Sequence, residues 1–153
     1  MYKLQSQRDP KWAKVTMGQS NSTIGQYGCL ITDISSLSSW YGKYSDPEWL
    51  AKNLKFTQGG LLFWNSITES VLPMKFVYRY YKRDDGIIKK ALFSSNDCVI
   101  LEVQWGGSKH WVTAINWSPI KGYRVADPWS GTYMYLNKSQ FPTITGFAIL
   151  TRK

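Results

Sequence analysis

The last third of the chain holds four runs, CVILEVQW, HWVTAINW, GYRVAD and GFAILTR, rich in β-branched and aromatic residues. Gly, Ser, Pro and Lys turns separate them, so they read as strands. The chain ahead of them reads differently. Leu30, Ile34, Leu37 and Tyr41 recur at spacings of four, three and four, which predicts an amphipathic helix opening at Cys29 and ended by Gly42. Ser45-Asp46-Pro47-Glu48 predicts a second start, with Ser45 as cap and Pro47 in the first turn, running to about Leu54. A third helix is expected over Phe63–Leu72, a strand over Phe76–Tyr81, and a helix from Asp84-Asp85 to about Phe93. Helices come first and strands last. A doubly wound parallel sheet needs alternation, so the order predicts α+β, with N-terminal helices packed on a C-terminal antiparallel sheet. Residues 1–26 read as mostly irregular, with Asp9-Pro10 and GQSNST as loop signals.

A chain of 153 residues with 43% hydrophobic content can bury one real core, so 1–153 is read as a single domain and not as a disordered chain. No apolar run reaches the about 18 residues of a membrane span, and MYKLQSQRDPKW lacks a signal peptide's apolar core. The compartment stays open, with synthesis in the cytoplasm and release by lysis or virion incorporation among the routes. Lys and Arg number 19 against ten Asp and Glu, for a net charge of +9. Such an excess attracts polyanions, including acidic wall polymers. It is dispersed, with no basic run of four, which argues against a nucleic-acid module that reads sequence. Cys29, Cys98 and His110 do not make a zinc site, which needs close pairs; no metal or cofactor is expected.

Cys29 follows Gly25 and Gly28 at a helix start, where free N–H groups and the helix dipole favour a thiolate. The expectation is a pKa below the free value. His110, the sole imidazole, opens a strand after a Gly-rich turn and would serve as base. Asp127 ends the next strand and would orient it. A Cys of this kind is more often a small buried hydrophobe, which is the reading of Cys98. A His beside Trp is usually structural, and an Asp before Pro is usually a turn residue. It is the order and the settings together that point to nucleophilic catalysis.

The segments SQRDPKW, TIGQYGC followed by Thr32, KHWVTAINW and ADPWSG resemble the bacterial and phage papain-like cysteine peptidases. They are most similar to relatives of the bacteriocin-leader (double-glycine) peptidases, cysteine peptidase family thirty-nine. The resemblance runs from about Gln5 to Leu150. It implies a papain-like fold, with Cys29 as nucleophile, His110 as general base and acid, and Asp127 orienting His110. The family's oxyanion Gln maps to Gln7 by its place in Q-R-D-P-x-W; Gln5, Gln19 and Gln26 also lie upstream of the Cys. Leu30-Ile31 departs from the family's Gly-Pro, and Asp33, one turn past Cys29, would oppose a thiolate if it faced the sulfur.

Trp105, Trp111 and Trp129 flank these residues and are candidates to line a peptide groove, with core packing the alternative. The implied reaction is hydrolysis of a peptide or amide bond, with peptidoglycan or another bacterial peptide as substrate. Two other classes stay open: a non-catalytic papain-like binding or virion-structural module, and a basic nucleic-acid-binding protein.

Overall fold

The structure is a computed structural model that describes residues 1–153. Its helices are α1 (Ile24–Tyr27), α2 (Cys29–Trp40), α3 (Pro47–Asn53), α4 (Asn65–Glu69) and α5 (Asp85–Leu92). Its strands are β1 (Met74–Tyr80), β2 (Asp97–Trp105), β3 (Ser108–Ser118), β4 (Gly122–Asp127), β5 (Thr132–Tyr135) and β6 (Ile144–Arg152). They form one antiparallel sheet in the order β1-β6-β2-β3-β4-β5. The fold is therefore α+β, and the last strand of the chain lies between β1 and β2. No helix is long and apolar enough to cross a membrane.

The sheet carries a buried cluster on each face. Cys98, Ile100 and Leu150 pack with Ile31, Ile34 and Leu37 of α2. Val99, Leu101, Val103, Phe147 and Ile149 pack with Ile88 and Ala91 of α5. Both faces of β2 are covered, which is why CVILEV reads as a continuous apolar run and not an alternating one. Each fully buried Ile or Leu here contributes roughly 1.5–3 kcal/mol.

Several expectations are corrected. The Cys29 helix is not amphipathic: Ile31 through Ser38 are all buried, polar residues included. The sheet covers one side, and the N-terminal segment covers the other, where Gln5 Nε2 donates to Ser35 Oγ at 2.8 Å. The serines there satisfy themselves locally, as where Ser38 Oγ donates to the Ser35 carbonyl. The cap of α3 is Asp46, which accepts from Trp49 N–H at 2.7 Å; the Ser45 carbonyl instead accepts from Ser35 Oγ. The helix expected over Phe63–Leu72 shrinks to α4, because Phe63 and Trp64 lead into it and Ser70 ends it. Three elements were not expected: α1, capped by Thr23, the edge strand β5, and a single 3-10 turn over Leu136–Lys138.

Candidate functional site

The N-terminal segment is folded by its own motif. Asp9 accepts from Lys11 N–H through its side chain and from Trp12 and Ala13 N–H through its carbonyl. That turn brings Trp12 back so that its indole N–H donates to the Ser6 carbonyl at 2.9 Å. Gln7 N–H then donates to the Pro128 carbonyl at 2.7 Å, and Ser6 Oγ to the Trp129 carbonyl at 3.0 Å. The spacing Q-x-D-P-x-W thus ties the segment to the turn that follows Asp127.

Cys29 is set by two tight contacts ahead of it. Gly25 N–H donates to the Ala13 carbonyl, and a Cβ on Gly25 would lie 2.9 Å from that oxygen. Gly28 ends α1 and caps α2, and a Cβ on it would lie 2.6 Å from the Ile24 carbonyl oxygen. The glycines are needed here for space. With α1 pressed in this way, the Cys29 thiol lies near the β3 backbone at Trp111 and near the N–H groups of Leu30 and Cys29 itself.

Those donors favour a thiolate, but they do not prevail. Burial and the nearby Asp33 push the Cys29 thiol up to about 12. The expectation of a depressed pKa is therefore corrected: the helix N-terminus acts, and desolvation outweighs it. Asp33 is itself 1% exposed, and burial holds its carboxyl well above the usual range.

His110 and Asp127 form a direct pair. His110 Nε2 lies 2.7 Å from Asp127 Oδ1, with both side chains buried. Asp127 also accepts from Trp129 N–H and Ser130 Oγ, each at 3.0 Å. Burial alone would raise its pKa, but the bond and charge of His110, with the Trp129 and Ser130 donors, hold it below the usual value. The carboxylate faces Nε2, so Nδ1 is the ring nitrogen turned away from Asp127. The side-chain hydrogen bond of His110 is the one from Nε2 to Asp127. No hydrogen bond joins Cys29 to His110; they approach through Trp111, the next residue on β3.

Of the four upstream glutamines, Gln7 is the one held against the segment leading to Cys29. It is 1% exposed, and its Nε2 lies 3.2 Å from the Gly25 carbonyl and 3.4 Å from that of Ile24. Its Oε1 has no partner. Gln5 is committed to Ser35 and Tyr44, while Gln19 and Gln26 are exposed.

The three tryptophans divide. The Trp105 ring packs 4.9 Å from the His110 ring and 5.5 Å from Trp129, and Phe141 closes the same group. Trp105, Trp129, Phe141 and Asp127 line a cavity of about 520 Å³ that also includes Lys138. Trp111 points to the other face of β3. It packs edge-on against Trp64, with the Arg79 guanidinium 4.8 Å over its ring. Glu102 pairs with Arg79 at 2.7 Å, and Gly146 leaves room for that pair. No group of three or more His, Cys, Asp or Glu is arranged to hold a metal ion. Sequence reasoning missed Thr113, Ser130 and Phe141. Only Ser130 had a local signal, as a hydroxyl three residues after Asp127 in a turn.

No protein-family model matches this chain, and no curated protein matches it.

Proposed function

We propose that the protein is a papain-like cysteine peptidase that hydrolyses a peptide or amide bond of a bacterial substrate. The observation that carries this reading is the buried His110–Asp127 pair, whose Nδ1 lies on the strand that the Cys29 thiol abuts. The reaction we infer is general-base catalysis. As Cys29 Sγ attacks the carbonyl carbon, His110 Nδ1 takes the thiol proton. Gln7 Nε2 and Cys29 N–H donate to the developing oxyanion. The two long contacts from Gln7 to neighbouring carbonyls fit one shared N–H, which leaves the other hydrogen for that role. His110 then passes its proton to the leaving amine. Water, deprotonated by His110, cleaves the thioester and frees the acid. Asp127 holds the tautomer throughout.

The net charge of +9 fits an anionic wall, so a peptidoglycan peptide is the substrate class we favour, with an acidic wall polymer as an accessory partner. The test is to incubate purified peptidoglycan and synthetic wall peptides with the wild-type and Cys29→Ala proteins, and to follow new amino groups by mass spectrometry. Fragments that depend on Cys29 support the reading; the same fragments from Cys29→Ala contradict it.

One observation favours a second reading. The side chain of His110 is bonded to Asp127 and makes no hydrogen bond to Cys29, which also suits a non-catalytic module of this architecture. That reading predicts that Cys29→Ala leaves the biological activity untouched.

A further inference from the structure

The helix that carries Cys29 and the strand that carries His110 meet through two ties on one face of β3. The first is the approach of the Cys29 thiol to the backbone at Trp111, which is a contact and not a full hydrogen bond. The second is Asp33, whose Oδ1 accepts from Thr113 Oγ1 at 2.9 Å. The spacings match. Cys29 and Asp33 are four residues apart on a helix, a rise of about 6 Å. Trp111 and Thr113 are two residues apart on a strand, about 7 Å. Both ties therefore hold in one register only. A slip of one residue would present Val112, whose side chain belongs to the opposite face.

Asp33 is a costly residue for mere packing. It is 1% exposed and its Oδ2 has no partner. An apolar side chain would fill the space without that desolvation. We propose that Asp33, acting through Thr113, is a positioning residue that locks the Cys29 helix onto the His110 strand in the register the reaction needs. This inference rests on the peptidase reading above. The groups that face Asp33 are Cys29 on α2, Thr113 on β3, Tyr2 in the N-terminal segment, Cys98 on β2 and Asp127 on β4. None is a cation, and Asn can replace Asp33 as the acceptor for Thr113.

The probe is p-nitrophenyl acetate, an activated ester small enough to need no subsite. Cys29 Sγ forms a bond to the acetyl carbon, the bond to p-nitrophenolate breaks, and the thiol proton goes to His110 and then to solvent. The rate is read from nitrophenolate release, and the acetylated residue is located by mass spectrometry. Asp33→Ala and Thr113→Val should each slow the His110-dependent reaction by about 10- to 100-fold, the scale of a misplacement near 1 Å. Asp33→Asn and Thr113→Ser should stay within about threefold of wild type, because each keeps the bond. In a His110→Ala background, Asp33→Ala should add less than about twofold, since there is no longer a pair to position. A general structural role would slow both backgrounds alike. If Asp33→Ala does not fold, Thr113→Val, which is nearly isosteric, decides the matter. His110 dependence that survives undiminished in Asp33→Ala or Thr113→Val overturns the clamp alone. Acylation of wild type no faster than of His110→Ala overturns the peptidase reading, and the positioning role with it.

Discussion

Gly28→Ala isolates the contact that delivers Cys29. Gly28 has φ −88° and ψ 23°, a conformation open to alanine. Backbone entropy alone would therefore make the substitution stabilising by about 0.4–1 kcal/mol. The packing reverses the sign. A Cβ would sit 2.6 Å from the Ile24 carbonyl oxygen and 2.7 Å from Ile24 Cα and Cγ2, so reaching 3.0 Å needs a shift of at least 0.4 Å. Two of the three atoms are backbone, and α1 is pinned at Gly25 by Ala13, so no flexible side chain can absorb the shift. Overpacking of this kind costs about 1–3 kcal/mol. At an m-value of roughly 2 kcal/mol/M, a loss of about 2 kcal/mol lowers the urea midpoint by about 1 M. The displaced Cys29 should also lose acylation by p-nitrophenyl acetate, by more than the stability loss explains at low denaturant. A midpoint that is unchanged or raised would refute the close packing of α1 on the Cys29 turn.

Asp127→Asn should lower His110-dependent acylation on the order of 10²–10⁴-fold, because an amide N–H facing Nε2 drives the imidazole proton to Nδ1. Asp127→Ala strands three donors and should cost about 3 kcal/mol in denaturant unfolding. Asp33→Asn should show a pH signature in the same assay. The folded-state pKa of Asp33 is raised above its unfolded value near 3.9, so its contribution is fully present below about pH 4 and lost as pH rises. The substitution should therefore be less destabilising at pH 7 than at pH 4. Asp127, with its pKa lowered, runs the other way: its stabilisation is present above about pH 4 and lost as pH falls through its folded value. Cys98, pushed up to about 12 chiefly by burial, should resist iodoacetamide at neutral pH until denaturant is added.

What the sequence made legible follows from what is local. The strand runs of the second half carry their own β signal, and all four lie on the strands β2, β3, β4 and β6. The meeting of His110 with Asp127 could be read because antiparallel neighbours place the start of one strand beside the end of the next, which needs no knowledge of packing. The polarity of α2 could not be read. Its serines and Asp33 look like a wet face, and only the long-range contacts from Gln5 and Thr113 bury them. The Cys29 pKa failed for the same reason: the helix end is visible in sequence, whereas the desolvation that outweighs it is tertiary. Helix α1 has four residues, too few for any periodicity, and β5 is a short edge strand with little burial to mark it. The papain-like reading is a proposal that rests on motif residues, and the His110–Asp127 pair is the contact consistent with it.

The most direct test of the account is acylation of the native protein by p-nitrophenyl acetate, comparing wild type, Cys29→Ala and His110→Ala, with the modified residue located by mass spectrometry. The account predicts one acetyl group per wild-type chain, on Cys29 and not Cys98. It predicts none at that speed on Cys29→Ala, and a rate about 10²–10⁴-fold lower for His110→Ala. Acylation of Cys29 at the same rate with and without His110, or none at all in the folded protein, would contradict it and leave the non-catalytic module as the standing reading.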